Sequence, residues 1–259
     1  MQTVPNGLTT NRGYPAAVIA SSEPVHRMDK SQEMEEVAVG YLRSLLPELL
    51  GDVDVRNNPA YFKLGIDFLW NSGVAIDLKA EFQKGFNCAA EVVSQDRPST
   101  KVGWLLSGTA TWVVHYFPNT GDVIVIPSPV YRRLVHKYIE KAEKEWKSTS
   151  CKNKTYMSWC VLVPVKEVAE AENAFWLNVG IHDDVREKDR HPSKLIQLGV
   201  KNRIQPEELV ARLHAEVEFD TPATLPPVDI AKLERWVRRE CPSRDANGYK
   251  NAQYYLWPH

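Results

Sequence analysis

Residues 65–79 read GIDFLWNSGVAIDLK and predict a β-hairpin near the centre of the fold. Two runs rich in apolar residues, 61–70 and 74–82, lie on either side of Asn71-Ser72-Gly73. Asparagine, serine and glycine favour tight turns because they tolerate left-handed backbone angles or hydrogen-bond their own backbone. The pattern therefore predicts two antiparallel strands joined by a three-residue loop.

Three charged side chains share one face of this hairpin. A three-residue loop pairs Asp67 with Asp77, and Lys79 projects to the same side because it lies two positions further along its strand. The apolar residues between them project to the opposite side and anchor the hairpin. Two carboxylates directly opposite each other are destabilising unless their charge is compensated. A divalent cation would compensate it, because hard cations prefer carboxylate oxygens.

The stretch resembles the core of the PD-(D/E)xK nuclease superfamily, which includes restriction endonucleases, Holliday-junction resolvases and many phage nucleases. The likeness is close over residues 65–79 and extends in general pattern to the preceding helix and the following strands. It implies an α/β (α+β) fold with a restriction-endonuclease-like core. In such a core, helices flank a central mixed β-sheet, and here a C-terminal extension would follow.

The motif residues of the family carry over onto this sequence one by one. Its first aspartate matches Asp67, and its D/E-x-K tripeptide matches Asp77, Leu78 and Lys79. The resemblance implies that Asp67, Asp77 and the backbone carbonyl of Leu78 bind the metal, and that Lys79 is catalytic with both aspartates. The chain departs from the pattern by having Ile66 in place of proline and Asp in place of the more frequent Glu at 77. Neither departure removes a ligand.

A further carboxylate is expected on the helix before the hairpin. Apolar residues recur at helical spacing from Ser31 onward, and the family often places a metal-facing glutamate on this helix. The candidates are Glu33, Glu35 and Glu36. Glu35 is preferred as a catalytic residue because it lies nearest to the centre of the apolar stripe. Additional candidates at the site are Glu81, Glu91 and Gln95, of which Glu81 continues the strand face of Asp77 and Lys79.

Downstream patterns predict further strands and helices. A second hairpin is expected from runs 111–117 and 122–126, and Ser128-Pro129 then begins a helix that reaches about residue 147. Strands at 156–165 and 175–179 and helices at 206–214 and 229–240 follow. The organisation expected is an N-terminal arm (1–30), a nuclease-like core (31–218) and a C-terminal helix with an aromatic tail (219–259).

One face of the helix at 128–147 is basic. The formal net charge of the chain is −1, so binding to nucleic acid would need a local patch of this kind. A solvated face is the simpler interpretation, and contact with a phosphate backbone is the functional one. The residues of this face are Arg133, Lys137, Lys141 and Lys144.

Composition narrows the class of protein. A hydrophobic fraction of 43% and a charged fraction of 25% are ordinary for a globular chain. No stretch approaches the roughly 20 apolar residues of a membrane helix, so no membrane contact is expected. Four scattered cysteines without a CxxC pair indicate reduced thiols and a cytoplasmic location. No phosphate-binding glycine motif is present, which argues against a nucleotide cofactor.

The function implied by the resemblance is hydrolysis of DNA phosphodiester bonds by a water activated by Mg²⁺, for which Mn²⁺ can substitute. An endonuclease of phage or bacterial DNA processing is favoured over an exonuclease, and the sequence does not distinguish DNA from RNA or a monomer from a homodimer. The alternative is a catalytically inactive nuclease fold that binds DNA or protein. His182-Asp183-Asp184 is interpreted as a polar loop, and His115 as a core histidine.

Overall fold

The computed structural model describes residues 28–62, 64–81, 87–95, 101–142, 148–152, 157–181 and 185–215. The α-helices are α1 (Met28–Leu45), α2 (Pro59–Phe62), α3 (Trp104–Ser107), α4 (Ser128–Ala142), α5 (Val165–Ala169), α6 (Lys194–Gln197) and α7 (Leu209–His214). Three 3₁₀ turns span Pro47–Leu49, Glu187–Asp189 and Pro206–Glu208. The strands are β1 (Val53–Asp54), β2 (Phe68–Leu69), β3 (Ala75–Ala80), β4 (Asn87–Gln95), β5 (Lys101–Val102), β6 (Trp112–Phe117), β7 (Asp122–Pro127), β8 (Ser148–Lys152), β9 (Met157–Pro164) and β10 (Phe175–Asn178).

The main sheet is mixed and has six strands in the order β1-β2-β3-β6-β7-β10. Only β3 and β6 pair in parallel, and the other neighbours are antiparallel. Parallel neighbours need a crossover connection, and here the crossover contains β4, β5 and α3. The chain therefore leaves the main sheet directly after β3 and re-enters it as β6, the strand next to β3.

The two faces of the main sheet bury different elements. Helices α1 and α7 pack on the face that carries Phe68, Ile76 and Leu78, so these side chains are buried in one apolar cluster. On the opposite face, α4, α5 and a second, antiparallel sheet of order β5-β4-β9-β8 form another cluster with Val113 and Ile126. Asp77 pairs with Val113 and Lys79 with His115, so the charged side chains of β3 lie on this second face.

Most elements predicted from the sequence are confirmed. The helix before the hairpin begins at Met28 rather than near Ser31. The second hairpin (β6 and β7), α4, β9, β10 and the helical segment ending at His214 lie close to their predicted positions. Residues 1–27, 143–147 and 216–259, which include the tail and the helix expected at 229–240, lie outside the described residues.

The predicted first strand of the central hairpin, 61–70, is wrong over most of its length. Residues Pro59–Phe62 form α2, because the Asn58 side chain accepts a hydrogen bond from the Ala60 backbone N–H and proline is favoured in a first turn. Gly65 then has a left-handed backbone (φ 61°) that turns the chain back toward the sheet. Only Phe68–Leu69 remain as strand. The sequence also did not predict β4, β5, β8 and the second sheet that they form with β9.

Among the described residues, no helix is both long enough and apolar enough to cross a membrane.

Candidate active site

The central hairpin has the register expected from its three-residue loop. Phe68 pairs with Ile76 and Leu69 with Ala75. The backbone N–H of Asp67 donates to the Ile76 carbonyl at 2.8 Å, one residue short of Asp77, so the regular pairing ends at Phe68. The predicted register is confirmed for Phe68 and Leu69, whereas the predicted pairing of Asp67 directly opposite Asp77 is not part of the observed ladder.

The hairpin is open where the charged side chains lie. Strand β2 is two residues long, whereas β3 continues to Ala80, so the edge of β3 beyond Ile76 has no strand of the hairpin beside it. The N–H of Leu78 on this edge donates instead to Oδ2 of Asp67, at 2.8 Å. In a strand, the N–H and C=O of one residue point to the same side, so the Leu78 carbonyl also faces this opening.

Asp67, Asp77 and Lys79 form a compact charged group. The Lys79 Nζ lies 2.5 Å from Oδ1 of Asp77 and 4.0 Å from Oδ2 of Asp67. The three side chains differ in exposure, at 3% for Asp77, 18% for Asp67 and 28% for Lys79, so the group opens to solvent on the side of Lys79 and Asp67. Oδ1 of Asp77 is buried, and the Lys79 ammonium contacts it in this short ion pair.

The protonation of this group follows from its burial. Burial raises the pKa of Asp77 well above its usual range, and the charge of Asp67 adds to this effect while Lys79 opposes it. Burial alone would lower the pKa of Lys79, but the charges of Asp77 and Asp67 outweigh it, so this pKa is raised. Lys79 is therefore an ammonium ion at neutral pH and acts as a cation and not as a base.

Glu35 approaches this group from α1, as the sequence predicted. The pKa of Glu35 is raised, mainly by burial and further by the nearby charge of Asp67. The charges of Lys79 and Arg56 oppose this shift. Arg56 contacts the middle of α1, because its Nη1 lies 3.8 Å from Oε1 of Glu35 and 3.0 Å from Oε1 of Glu36. Glu36 is turned toward Arg56 and is more exposed, which supports the preference for Glu35.

Glu91 and Trp104 reach the site from the crossover. The Glu91 carboxylate accepts hydrogen bonds from the Trp104 backbone N–H and the Ser158 side chain, and its pKa is raised by burial while the charge of Lys79 lowers it. The Trp104 ring lies below the same ammonium, with its centroid 4.4 Å from the Lys79 Nζ. Sequence reasoning named Glu91 but missed Trp104, for which Gly103-Trp104 after β5 was the available signal.

Glu81 serves a structural contact between the sheets. Its Oε1 lies 3.0 Å from Nδ1 of His115 and accepts a hydrogen bond from the backbone N–H of Ala89 in β4 at 3.1 Å. Both side chains are buried. The prediction that His115 is a core histidine is confirmed, and the carboxylate considered as a further ligand is engaged with its own partners.

The expected nucleic-acid face of α4 is only partly described. Arg133 pairs with Glu172 at 3.3 Å, on the side of the loop between α5 and β10, and Lys137 is exposed. The side chains of Lys141 and Gln95, and the whole of Lys144, lie outside the described residues. The α4 side chain that reaches toward the crossover is Arg132, whose Nε donates to the Leu105 carbonyl at 2.9 Å and whose Nη2 donates to the Gly108 carbonyl.

The donor set of the group suits a hard cation. Within the described residues, no cluster of three or more His, Cys, Asp or Glu side chains is arranged to hold a metal ion. Mg²⁺, however, is usually bound by one or two carboxylates together with waters and substrate phosphates. Asp67, Asp77 and the Leu78 carbonyl supply oxygen ligands of that kind, and the two carboxylates face only one ammonium, that of Lys79. The residues present therefore fit Mg²⁺.

No family model, curated protein or solved structure matches this chain. The function is therefore argued from the geometry of the site and from the resemblance of its motif.

Proposed function

We propose that this protein is a Mg²⁺-dependent nuclease that hydrolyses phosphodiester bonds of DNA. The observation that carries the proposal is the convergence of Asp67, Asp77 and Lys79 at the open edge of β3, with the ammonium within 4.0 Å of both carboxylates. The order of elements agrees with a restriction-endonuclease-like core, since a helix, an acid-bearing hairpin and a return strand follow one another in a mixed sheet.

Each residue of the group has a chemical task in this proposal. Asp67, Asp77 and the Leu78 carbonyl would hold the cation. When bound, Mg²⁺ supplies Lewis-acid polarisation of a phosphate oxygen and lowers the pKa of a bound water. Lys79 orients the attacking water by hydrogen bonding and stabilises the negative charge that develops on the phosphate. It can do so because its raised pKa keeps it protonated at neutral pH.

Two further acidic side chains, Glu35 and Glu91, lie close enough to this centre to interact with its charges. Glu35 lies near Asp67 and its pKa is raised by burial and by the charge of Asp67, so it holds a proton more tightly than an ordinary glutamate and would release it when a cation binds nearby. Glu91 is fixed by hydrogen bonds from Trp104 and Ser158 and faces the charge of Lys79. Lys79 is thus surrounded by the carboxylates of Asp67, which precedes β2, of Asp77 in β3 and of Glu91 in β4, and these restrict its position before the substrate arrives.

A cleavage assay tests the proposal directly. The purified chain is incubated with linear, circular and branched DNA, with Mg²⁺ or Mn²⁺ and with a chelator. Cleavage should depend on the metal, and Asp77→Asn and Lys79→Met should each lower the rate about 100-fold or more. Glu207→Gln, which changes an exposed carboxylate outside the site, is the matched control.

The competing interpretation is a catalytically inactive nuclease fold that binds DNA or a protein. It is favoured by one observation, namely that the Lys79 ammonium already offsets part of the charge of the two aspartates by ion pairing. It predicts DNA binding without cleavage and no metal affinity that depends on Asp77. A chain that cuts no nucleic acid and binds Mg²⁺ equally well as Asp77→Asn would overturn the nuclease proposal.

A further inference from the structure

Two large apolar side chains are exposed in the segment that leads into the site. Phe62, at the end of α2, is 74% exposed, and Leu64 is 41% exposed. Scattered exposed apolar residues are normal, but here two of them flank a single position of one short loop. At this exposure Phe62 contributes little to the apolar core, and its ring is accessible from solvent.

The backbone at Leu64 and Gly65 packs against the start of α3 and the segment that follows it. The Leu64 carbonyl accepts a hydrogen bond from the Thr109 backbone N–H at 2.8 Å. A Cβ placed on Gly65 would lie 3.4 Å from the Gly108 backbone and 3.9 Å from the Trp104 carbonyl oxygen. Phe62 precedes Asp67 by five residues, so the two backbones are at most about 18 Å apart.

Trp104 belongs to the other segment of this contact, the one that contains α3 and Gly108. It is half-buried, begins α3 and contacts the Lys79 ammonium. Arg132 binds the carbonyls of Leu105 and Gly108 and so fixes α3 against α4. Phe62 ends α2 and Leu64 follows it, Trp104 begins α3, and the backbones of these two segments touch at Gly65 and Gly108. We name the side chains of Phe62, Leu64 and Trp104 the apolar rim.

We propose that the apolar rim stacks against unpaired bases, so that the preferred substrate is DNA with single-stranded character at the cleavage point. The inference rests on the proposed nuclease function and adds the substrate class. Proteins that bind single strands combine cationic groups for the backbone with aromatic side chains for the bases. Lys79 supplies the cation beside Trp104, and Phe62 and Leu64 add exposed apolar surface on the adjoining segment. A paired duplex would present sugars and phosphates to the rim, which leaves its apolar faces without a matching surface.

Binding of matched oligonucleotides tests the inference. Affinity is measured by fluorescence anisotropy in the Asp77→Asn background, which keeps the DNA intact, with a single strand and a hairpin duplex of the same composition. Phe62→Ala should weaken binding of the single strand about 5- to 100-fold and binding of the duplex much less. Phe62→Trp should restore the affinity, because it preserves the stacking surface. Ile196→Ala, which removes another exposed apolar side chain in α6, is the control.

Each outcome decides the inference. It is overturned if Phe62→Ala binds the single strand as tightly as Ile196→Ala does, or if Phe62→Ala alters self-association in sedimentation and leaves DNA affinity unchanged. If the unmodified chain cuts duplex and single-stranded DNA equally well and Phe62→Ala changes neither rate, the rim inference fails while the nuclease function stands. If the unmodified chain neither binds nor cuts any DNA, both fail.

Discussion

The carboxylate of Asp67 accepts a hydrogen bond from the backbone N–H of Leu78, 2.8 Å away across the open end of the hairpin. One carboxylate oxygen thus replaces the strand partner that β2 is too short to provide. The contact fixes the side chain of a proposed ligand and directs the Leu78 edge of β3 toward the same opening.

This contact allows the charge and the structural role of Asp67 to be separated. Asp67→Asn keeps an oxygen acceptor for the Leu78 N–H, so the free energy of unfolding should stay close to that of the unmodified protein. Asp67→Ala leaves that N–H without its acceptor and should cost about 1–3 kcal/mol. Both variants should lose Mg²⁺ binding and cleavage. Urea unfolding and Mg²⁺ titration are the measurements, and equal stability of the two variants would contradict the prediction.

The neighbouring glutamates of α1 form a matched pair. Glu35→Gln should lower the cleavage rate about 10-fold or more, because it removes a charge beside Asp67 and Lys79. Glu36→Gln should leave the rate nearly unchanged, since Glu36 is exposed and pairs with Arg56. Rates are measured at saturating Mg²⁺, so that a change in metal affinity does not enter. Equal losses in both variants would show that α1 contributes only through its general charge.

Metal affinity should rise with pH. The pKa values of Asp77 and Glu35 are raised, so both hold protons more tightly in the folded chain than in the unfolded one. Their contribution to the stability of the metal-free protein is complete below the ordinary carboxyl pKa of about 4 and is lost as the pH rises through the raised values. Mg²⁺ needs the ionised carboxylates, so binding releases protons and strengthens over the same pH window.

Calorimetry in two buffers of different ionisation enthalpy counts these protons. The thermal stabilisation by Mg²⁺ should likewise grow with pH, and Asp77→Asn should show a smaller proton release. An affinity that is constant across this range would indicate that the two carboxyl groups titrate normally and that their burial is relieved by water.

Two glycines give opposite predictions for the same substitution. A Cβ on Gly103 would collide with the Glu91 carbonyl and lie 2.8 Å from the Val92 carbonyl carbon, so Gly103→Ala should displace α3 together with Trp104. We expect a loss of about 1–3 kcal/mol in unfolding free energy and a lower cleavage rate. Gly40 lies in α1 with no atom within 4 Å of such a Cβ, so Gly40→Ala should stabilise the chain by about 1 kcal/mol. Thermal unfolding and activity of both variants check the pair.

The buried contact between Glu81 and His115 should behave as one unit. Glu81→Leu leaves the His115 Nδ1 and the Ala89 N–H without their shared partner, which costs about 1–3 kcal/mol per unsatisfied group. The double variant with His115→Leu should be less destabilised than the sum of the two single variants, with a coupling of about 0.5–3 kcal/mol. Strict additivity in chemical unfolding would show that the pair does not interact. Mg²⁺ affinity should be unaffected, because Glu81 is not among the proposed ligands.

The hairpin could be predicted because its determinants are local. The register of Phe68 with Ile76 depends on the length of the Asn71-Ser72-Gly73 loop, and the common face of Asp77 and Lys79 depends on strand alternation. Glu35 could be chosen over its neighbours because the helical period of α1 is regular. These features need no knowledge of distant parts of the chain.

The second sheet could not be predicted, because its pairing is long-range. Strand β4 pairs with β9, and Glu91 lies opposite Cys160, far along the sequence. Neither strand shows which face will turn toward Lys79. The contact between Trp104 and Lys79 depends in turn on the packing of Gly103 against β4, which no local pattern encodes. The short length of β2 was not predicted for a different reason, since the apolar run around Gly65 has the composition of a strand.

The parallel pairing of β3 with β6 requires a crossover, so the site is built from two separate stretches of chain that can change independently in evolution. Asp67, Asp77 and Lys79 precede the crossover, whereas Glu91 and Trp104 lie inside it. If the proposed nuclease function holds, substitutions or insertions within the crossover would change the nucleic acid that the site accepts and leave the hairpin untouched. Selection could thus change the substrate preference of such a protein while Asp67, Asp77 and Lys79 stay the same.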